Sequence, residues 1–158
     1  EGEPLDAPVF HTALEHVKMY KPRALYLALG ETDEWAHAGN YDLYLHAAHR
    51  VDNYIQQLWE TTQAMDEYRG TTTFIIAVDH GRGEAENNAW RSHGEKLPES
   101  KYVWFALMGP DTPALGERSD APPVTQSQVA ATVAALLGED FNAFRPKAGK
   151  PFPQLWTR

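Results

Sequence analysis

Hydrophobic residues cluster in three short runs with almost no polar position: Ala24–Leu29, Thr73–Val78 and Tyr102–Met108. These runs are rich in aromatic or β-branched side chains, and they do not alternate between polar and apolar positions. A continuous apolar run is typical of a strand that is buried on both faces of a parallel sheet. The pattern therefore predicts three central strands.

Three other segments have apolar positions at steps of three and four, which is the period of an amphipathic helix. One covers Thr12–Tyr20 and ends before Pro22, because proline disfavours helix in the residue that precedes it. Another begins at a capping box of Thr125 and Gln128 and closes at Gly138. The longest is Tyr41–Met65, whose predicted core-facing stripe is Tyr44, Ala48, Val51, Ile55, Leu58, Thr62 and Met65.

This order of helices and strands predicts an α/β protein with an open, mostly parallel sheet, flanking helices and right-handed crossovers. The 158 residues fit a single domain, residues 1–158, that can bury a substantial core. Residues 139–158 contain Pro146, Gly149, Pro151 and Pro153, so we expect an irregular surface tail there.

Composition excludes several kinds of chemistry. The chain has no cysteine, so disulfides, cysteine-ligated metal clusters and thiol nucleophiles are excluded. Its 14 Lys and Arg stand against 22 Asp and Glu, giving a net charge of −8, and the basic residues are scattered. We therefore expect no nucleic-acid partner. No apolar stretch reaches the roughly 20 residues that a membrane span requires, and the composition suits an exported or a cytoplasmic protein.

Carboxylate and imidazole groups follow the predicted strands, where ligand sites of open α/β sheets lie. Asp33 and His37 come after the first run, Asp79 and His80 come directly after the second, and His93 lies in the loop before the third. Taken singly, each has an ordinary structural interpretation: an ion pair, a turn cap, a hydrogen-bonded histidine or a surface histidine. Together they favour a site for a divalent cation, because such oxygen and nitrogen donors suit Zn²⁺ or Mn²⁺.

Arg82 follows the Asp79-His80 pair after one glycine. Its guanidinium is suited to bidentate contact with a phosphate or sulfate oxygen, so it is a candidate substrate-binding residue. The alternative is a surface arginine that pairs with Glu84 or Glu86.

The apolar run ending in Asp79-His80-Gly81 resembles the strand and Asp-His-Gly motif of the alkaline phosphatase superfamily of metalloenzymes. Asp33-x-x-x-His37 and His93 resemble further metal ligands of that superfamily. The segments Thr132–Gly138 and Gly149–Pro151 are similar to the closing helix and the Gly-x-Pro segment of its sulfatase-like members. The resemblance covers residues 23–152.

The resemblance implies two divalent ions, Zn or Mn, one held by Asp33, His37 and His93 and the other by Asp79 and His80. It also implies a nucleophilic Ser or Thr on an upstream strand, which has no counterpart before Asp33. We therefore expect the C-terminal, metal-binding portion of a longer enzyme with an alkaline-phosphatase-like fold, inactive alone, whose N-terminal portion is a possible partner.

The implied function is metal-dependent hydrolysis of a small-molecule phosphate or sulfate ester, as in phosphatases, phosphodiesterases and sulfatases. One alternative is a phosphosugar mutase of the same superfamily. Another, from a different class, is a non-catalytic interaction domain that a metal ion stabilises.

Overall fold

The computed structural model describes residues 5–153, which form two compact units. The first unit comprises residues 5–70 and 77–105, and the second comprises residues 71–76 and 106–153. All the candidate site residues named above belong to the first unit.

Helices dominate the first unit: α1 (Asp6–Tyr20), α2 (Glu31–His37) and α3 (Tyr41–Ala64), with short 3₁₀ helices at Glu86–Arg91 and Pro98–Lys101. The predictions of α1 and α3 are confirmed, although α1 begins six residues earlier than the period indicates. Neither α3 nor any other helix within residues 5–153 has both the length and the apolar character needed to cross a bilayer.

The core of the first unit is centred on Phe10, Leu14 and Tyr54. The rings of Phe10 and Tyr54 stack with centroids 4.0 Å apart, and Leu27 and Leu29 pack against the cluster. Full burial of such a side chain contributes roughly 1.5–3 kcal/mol to stability, so this contact joins α1 and α3 firmly.

The buried face of α3 differs slightly from the predicted stripe. Ala47, Tyr54 and Thr62 are its buried residues, whereas Ala48, a predicted core position, is exposed. Near the start of α3, where α2 packs against it, the buried position is therefore one residue earlier than predicted, whereas Thr62 agrees with the prediction.

The second unit contains strands β1 (Phe74–Ala77) and β2 (Phe105–Met108), of which Ala77 and Phe105 are grouped with the first unit. A 3₁₀ helix at Gln126–Gln128 leads into α4 (Val129–Leu136), and α5 (Phe141–Phe144) follows. The capping box of Thr125 and Gln128 is confirmed.

A buried hydroxyl ties the C-terminal segment to α4. Thr132 Oγ1 donates to the carbonyl of Gln128 at 2.7 Å and accepts from the backbone N–H of Phe152 at 2.9 Å. The side chains of Thr132 and Phe152 are almost fully buried. The segment predicted to be an irregular tail thus contains α5 and one core residue, while residues 154–158 lie outside the described part.

The predicted open, mostly parallel sheet is wrong. Among the described residues the sheet has only β1 and β2, which run antiparallel, and 48% of these residues are helical. Parallel neighbours need a long crossover, usually a helix, but here the connection from β1 to β2 contains only two short 3₁₀ helices.

The first predicted strand is also wrong. Ala24–Leu29 belongs to no strand within residues 5–153, and it makes no ladder hydrogen bond there. Leu27 and Leu29 face the core of the first unit, whereas Tyr26 is 92% exposed. One side of the run covers α1 and α3, which accounts for its apolar character. An apolar run in the sequence does not distinguish a segment buried on one side from a strand buried on both faces.

Candidate metal centre

The N-terminus of α2 is anchored by a buried carboxylate. Asp6 Oδ1 accepts from the backbone N–H groups of Gly30 and Glu31 at 2.8 and 3.2 Å. The backbone N–H of Asp6 in turn donates to Glu31 Oε1 at 3.0 Å, and Arg50 pairs with the other oxygen of Glu31. A carboxylate at a helix N-terminus satisfies orphan N–H groups and matches the helix dipole, so α2 is held in one orientation.

Asp33 and His37 lie one turn apart on α2. Residues four apart share a helix face, and His37 Nε2 is 3.2 Å from Asp33 Oδ2. The Asp33 side chain is about one-third exposed, so its carboxylate stays accessible to a ligand.

His80 reaches Asp33 from the loop after β1, where His80 Nε2 lies 3.6 Å from Asp33 Oδ1. His80 Nδ1 is 2.9 Å from the carbonyl oxygen of Gly81, which can only accept a hydrogen bond. The proton of a neutral His80 ring therefore sits on Nδ1, and Nε2, the atom nearer Asp33, carries the lone pair.

Gly81 permits this turn because the backbone passes very close to a neighbouring segment. Its N–H donates to the carbonyl of Ser100 at 2.8 Å. A Cβ at this position would lie 2.5 Å from the carbonyl oxygen of Tyr102 and 2.6 Å from that of Glu99. Any side chain there would displace the backbone that positions His80.

His93 completes the group from the loop that follows the 3₁₀ helix Glu86–Arg91. Its ring stacks on His80 with centroids 3.6 Å apart. His93 Nε2 lies 3.6 Å from Asp33 Oδ1 and 3.1 Å from His37 Nε2. Two imidazole nitrogens at that separation need a proton or a cation between them, because their lone pairs would otherwise repel.

Burial lowers the pKa of His93, and the nearby charges of His80, His37 and Arg82 lower it further, while Asp79 opposes them. The pKa therefore lies below the ordinary value of 6.5, which favours the neutral form of the ring. A neutral imidazole is the form that ligates metal ions.

Asp79 lies at the rim of this group. Its side chain is 88% exposed, and Oδ1 accepts from the backbone N–H of His80 at 3.0 Å. Its other oxygen, Oδ2, is 3.6 Å from His80 Nε2. Asp79 therefore forms a turn at the end of β1 and presents one carboxylate oxygen beside the histidines.

Arg82 makes the direct ionic contact with Asp33. Its Nη2 donates to Asp33 Oδ1 and, at 3.3 Å, to the carbonyl of Asp33, and its Nη1 donates to the carbonyl of Trp90 at 3.4 Å. The side chain is only 15% exposed, and burial lowers the pKa of its guanidinium. The group still remains a cation, since arginine is not deprotonated in proteins.

The donor atoms have the spacing of ligands around a divalent cation, but the nearly parallel rings of His80 and His93 must rotate before both nitrogens face one ion. One ligand atom from each of Asp33, His80 and His93 lies within 4.8 Å of the others. Within residues 5–153, these three form the group of His, Asp and Glu side chains close enough to hold a metal ion. Zn–N and Zn–O bonds of about 2.0–2.2 Å in tetrahedral geometry place ligand atoms about 3.4 Å apart. The two 3.6 Å separations from Asp33 Oδ1 match that spacing closely.

The sequence-predicted residues thus converge, but in a different grouping from the one implied by the resemblance. His80 joins Asp33 and His93 in one cluster, with His37 at its edge and Asp79 at its rim. One such group is not evidence for two ions, so the second ion stays a prediction.

Three supporting residues had no signal in the sequence. Asp6 anchors α2, and the backbone N–H of Gly94 donates to the nearly buried Ser100 Oγ at 3.0 Å beside His93. Arg91 donates to the carbonyl of His37 at 3.1 Å. Asp6 and Arg91 act across 24 and 54 positions of the chain, and Ser100 acts across six in a segment with no helical period, so only the folded chain identifies them.

Comparison with protein-family models, with curated proteins and with solved structures finds no match to this chain.

Proposed function

We propose that this chain binds a divalent metal ion through Asp33, His80 and His93, with His37 as an additional ligand, and that the ion serves hydrolysis of a phosphate or sulfate ester. The convergence of one carboxylate and three imidazoles, drawn from three separate segments, carries the proposal. The resemblance of the Asp-His-Gly and Asp-x-x-x-His motifs to the alkaline phosphatase superfamily supports the choice of reaction.

A divalent ion at this centre would act as a Lewis acid toward an ester oxygen and would stabilise the charge that develops in the transition state. The residues of the chain bind and orient that ion. The Nδ1 contact of His80 with Gly81 fixes its ring, and the α2 face fixes Asp33 relative to His37. As the resemblance implies, the nucleophile would be a Ser or Thr outside these 158 residues.

Metal binding is tested by titrating the purified chain with Zn²⁺ and Mn²⁺ in competition with a chelating dye. We expect binding at one equivalent or more, and a loss of affinity of about 100-fold when His80 or His93 is replaced by alanine. The exposed His46 on α3 offers a matched control, and His46→Ala should retain wild-type affinity.

A bound ion should also raise the unfolding temperature, because a ligand that binds only the folded state stabilises it by mass action. Removal of the ion with a chelator should reverse the shift. Absence of binding in the wild-type chain, or equal affinity in His93→Ala and His46→Ala, would overturn the metal site.

Turnover is tested with 4-nitrophenyl phosphate, bis(4-nitrophenyl) phosphate and 4-nitrophenyl sulfate. We expect little hydrolysis by the chain alone and metal-dependent hydrolysis by a protein extended with the coding sequence immediately upstream. Robust hydrolysis by the chain alone, abolished by His80→Ala, would contradict the upstream nucleophile. Metal binding with no turnover in the extended protein would instead favour a metal-stabilised interaction domain.

A further inference from the structure

Arg82 occupies the coordination space of the candidate metal centre. Its Nη2 contacts Asp33 Oδ1, the same oxygen that lies 3.6 Å from both His80 Nε2 and His93 Nε2. A cation bonded to these three atoms would approach Asp33 Oδ1 on the side that these atoms share. The guanidinium and a metal ion are therefore competing positive partners of one carboxylate oxygen.

The other contacts of Arg82 are weaker than the contact with Oδ1. They reach main-chain carbonyls of Asp33 and Trp90 at 3.3 and 3.4 Å, near the upper limit of hydrogen-bond length. The ionic contact with the carboxylate is thus the main interaction that a metal ion would replace. The neighbouring rings of His80 and His93 offer no negative charge to hold the guanidinium in place.

We infer that Arg82 is an internal counter-ion that holds Asp33 when no metal is bound, competes with the incoming ion, and on release binds the anionic group of the ester. This inference rests on the proposed function, since it assumes the metal centre at Asp33, His80 and His93. It makes binding ordered: metal first and oxyanion second.

The chemistry of the released side chain supports the second step. A guanidinium carries a permanent charge and a planar fork of donors that matches two oxygens of phosphate or sulfate. Electrostatic repulsion from a divalent ion would move the guanidinium away from Asp33 Oδ1. Because Arg82 follows the ligand His80 by two residues and is tethered near Trp90, it stays beside the centre.

The first experiment compares Zn²⁺ affinity in the wild-type chain and in Arg82→Gln by dye competition. Loss of the competitor should raise affinity about tenfold or more, the scale of one charge-assisted hydrogen bond. Arg82→Lys, which keeps the charge but not the fork, should give a smaller increase. Arg118→Gln, which removes an exposed arginine paired with Asp120 in the other unit, is the matched control for charge and should leave the affinity unchanged.

The outcomes separate this inference from the proposed function. If neither wild type nor Arg82→Gln binds Zn²⁺, the metal site itself is wrong. If wild type binds Zn²⁺ while both Arg82 variants bind it no more tightly than Arg118→Gln, the site stands and the counter-ion role is wrong. Circular dichroism of each variant verifies that it is folded, and Arg82→Lys decides the result if Arg82→Gln does not fold.

The second experiment measures binding of inorganic phosphate and inorganic sulfate by calorimetry, with and without one equivalent of Zn²⁺. Without zinc, wild type and Arg82→Gln should bind both anions equally weakly, because Arg82 is engaged by Asp33. With zinc, wild type should bind about tenfold more tightly than Arg82→Gln. Linkage requires the anion to tighten zinc binding by the same factor by which zinc tightens anion binding in that protein. Equal anion affinity of the two zinc-loaded proteins would overturn the ordered binding.

Discussion

Asp6 is nearly fully buried, and its carboxylate connects α1 to the start of α2, the helix that carries Asp33. Oδ1 accepts two backbone hydrogen bonds, from Gly30 and Glu31. Oδ2 is buried and has no hydrogen-bond partner among residues 5–153. One oxygen of Asp6 therefore stabilises the helix, while burial of the other oxygen without a hydrogen bond destabilises the folded state.

Replacement of Asp6 by alanine leaves two N–H groups without a partner. Each orphaned buried donor costs about 1–3 kcal/mol, and the Gly30 donor is only partly buried, so we expect Asp6→Ala to lower the free energy of unfolding by about 2–4 kcal/mol. Asp6→Asn keeps the accepting oxygen and removes the buried charge. We expect it to lie within about 1 kcal/mol of wild type at pH 7.

The pH dependence follows from the raised pKa of Asp6, which burial shifts above the ordinary value of 3.8 against the opposing backbone hydrogen bonds of Glu31 and Gly30. The folded state then holds a proton more tightly than the unfolded state, so this stabilising contribution is fully present below pH 3.8. It is lost as the pH rises through the folded-state pKa. Asp6→Asn should therefore gain stability relative to wild type as the pH rises across that interval.

Urea unfolding followed by tryptophan fluorescence measures these differences. Asp52→Ala, an exposed acidic residue within α3, is the control and should change the free energy of unfolding by less than about 0.5 kcal/mol. An Asp6→Ala protein as stable as Asp52→Ala would refute the anchoring role. A difference between Asp6→Asn and wild type that does not vary with pH would refute the raised pKa.

Two further predictions concern single atoms of the fold. Thr132→Val removes the acceptor of the buried Phe152 N–H, so hydrogen exchange of that amide should become at least tenfold faster, the scale of one lost hydrogen bond. An unchanged exchange rate would contradict the role of Thr132 in holding the C-terminal segment on α4. Gly81→Ala places a Cβ 2.5 Å from the carbonyl oxygen of Tyr102, so urea unfolding should show a free energy of unfolding lower by about 1–3 kcal/mol. Because the backbone shift also moves His80, zinc titration should show a weaker affinity. Wild-type values in both assays would show that the turn adapts without cost.

Local patterns predicted the helices well. The period of three and four identified α3 to within one residue at its C-terminal end, and the Thr125 capping box marked the helix start in the second unit. The Asp33 and His37 pair was also predictable, since a spacing of four on a helix brings side chains together. These features depend only on residues that are near one another in the chain.

Pairing between distant segments was not predictable in the same way. The run Ala24–Leu29 has the composition of a central strand, but strand formation needs partner backbones, which the described residues do not supply. The order of elements likewise suggested parallel strands, whereas the connection between β1 and β2, residues 78–104, contains no α-helix that crosses over the sheet, and the two strands are antiparallel.

Residue types and their local spacing establish which side chains have metal-binding chemistry, where the main helices lie and which positions carry charge. Tertiary structure alone decided that His80 and His93 meet at Asp33, that Asp6 anchors α2 and that Arg82 is bound to Asp33 across 49 positions of the chain. The physical reason is that helix period and capping are local interactions. The meeting of metal-ligand side chains and the formation of buried ion pairs depend on the paths of loops and on packing. These bring distant residues together without any repeating pattern in the sequence.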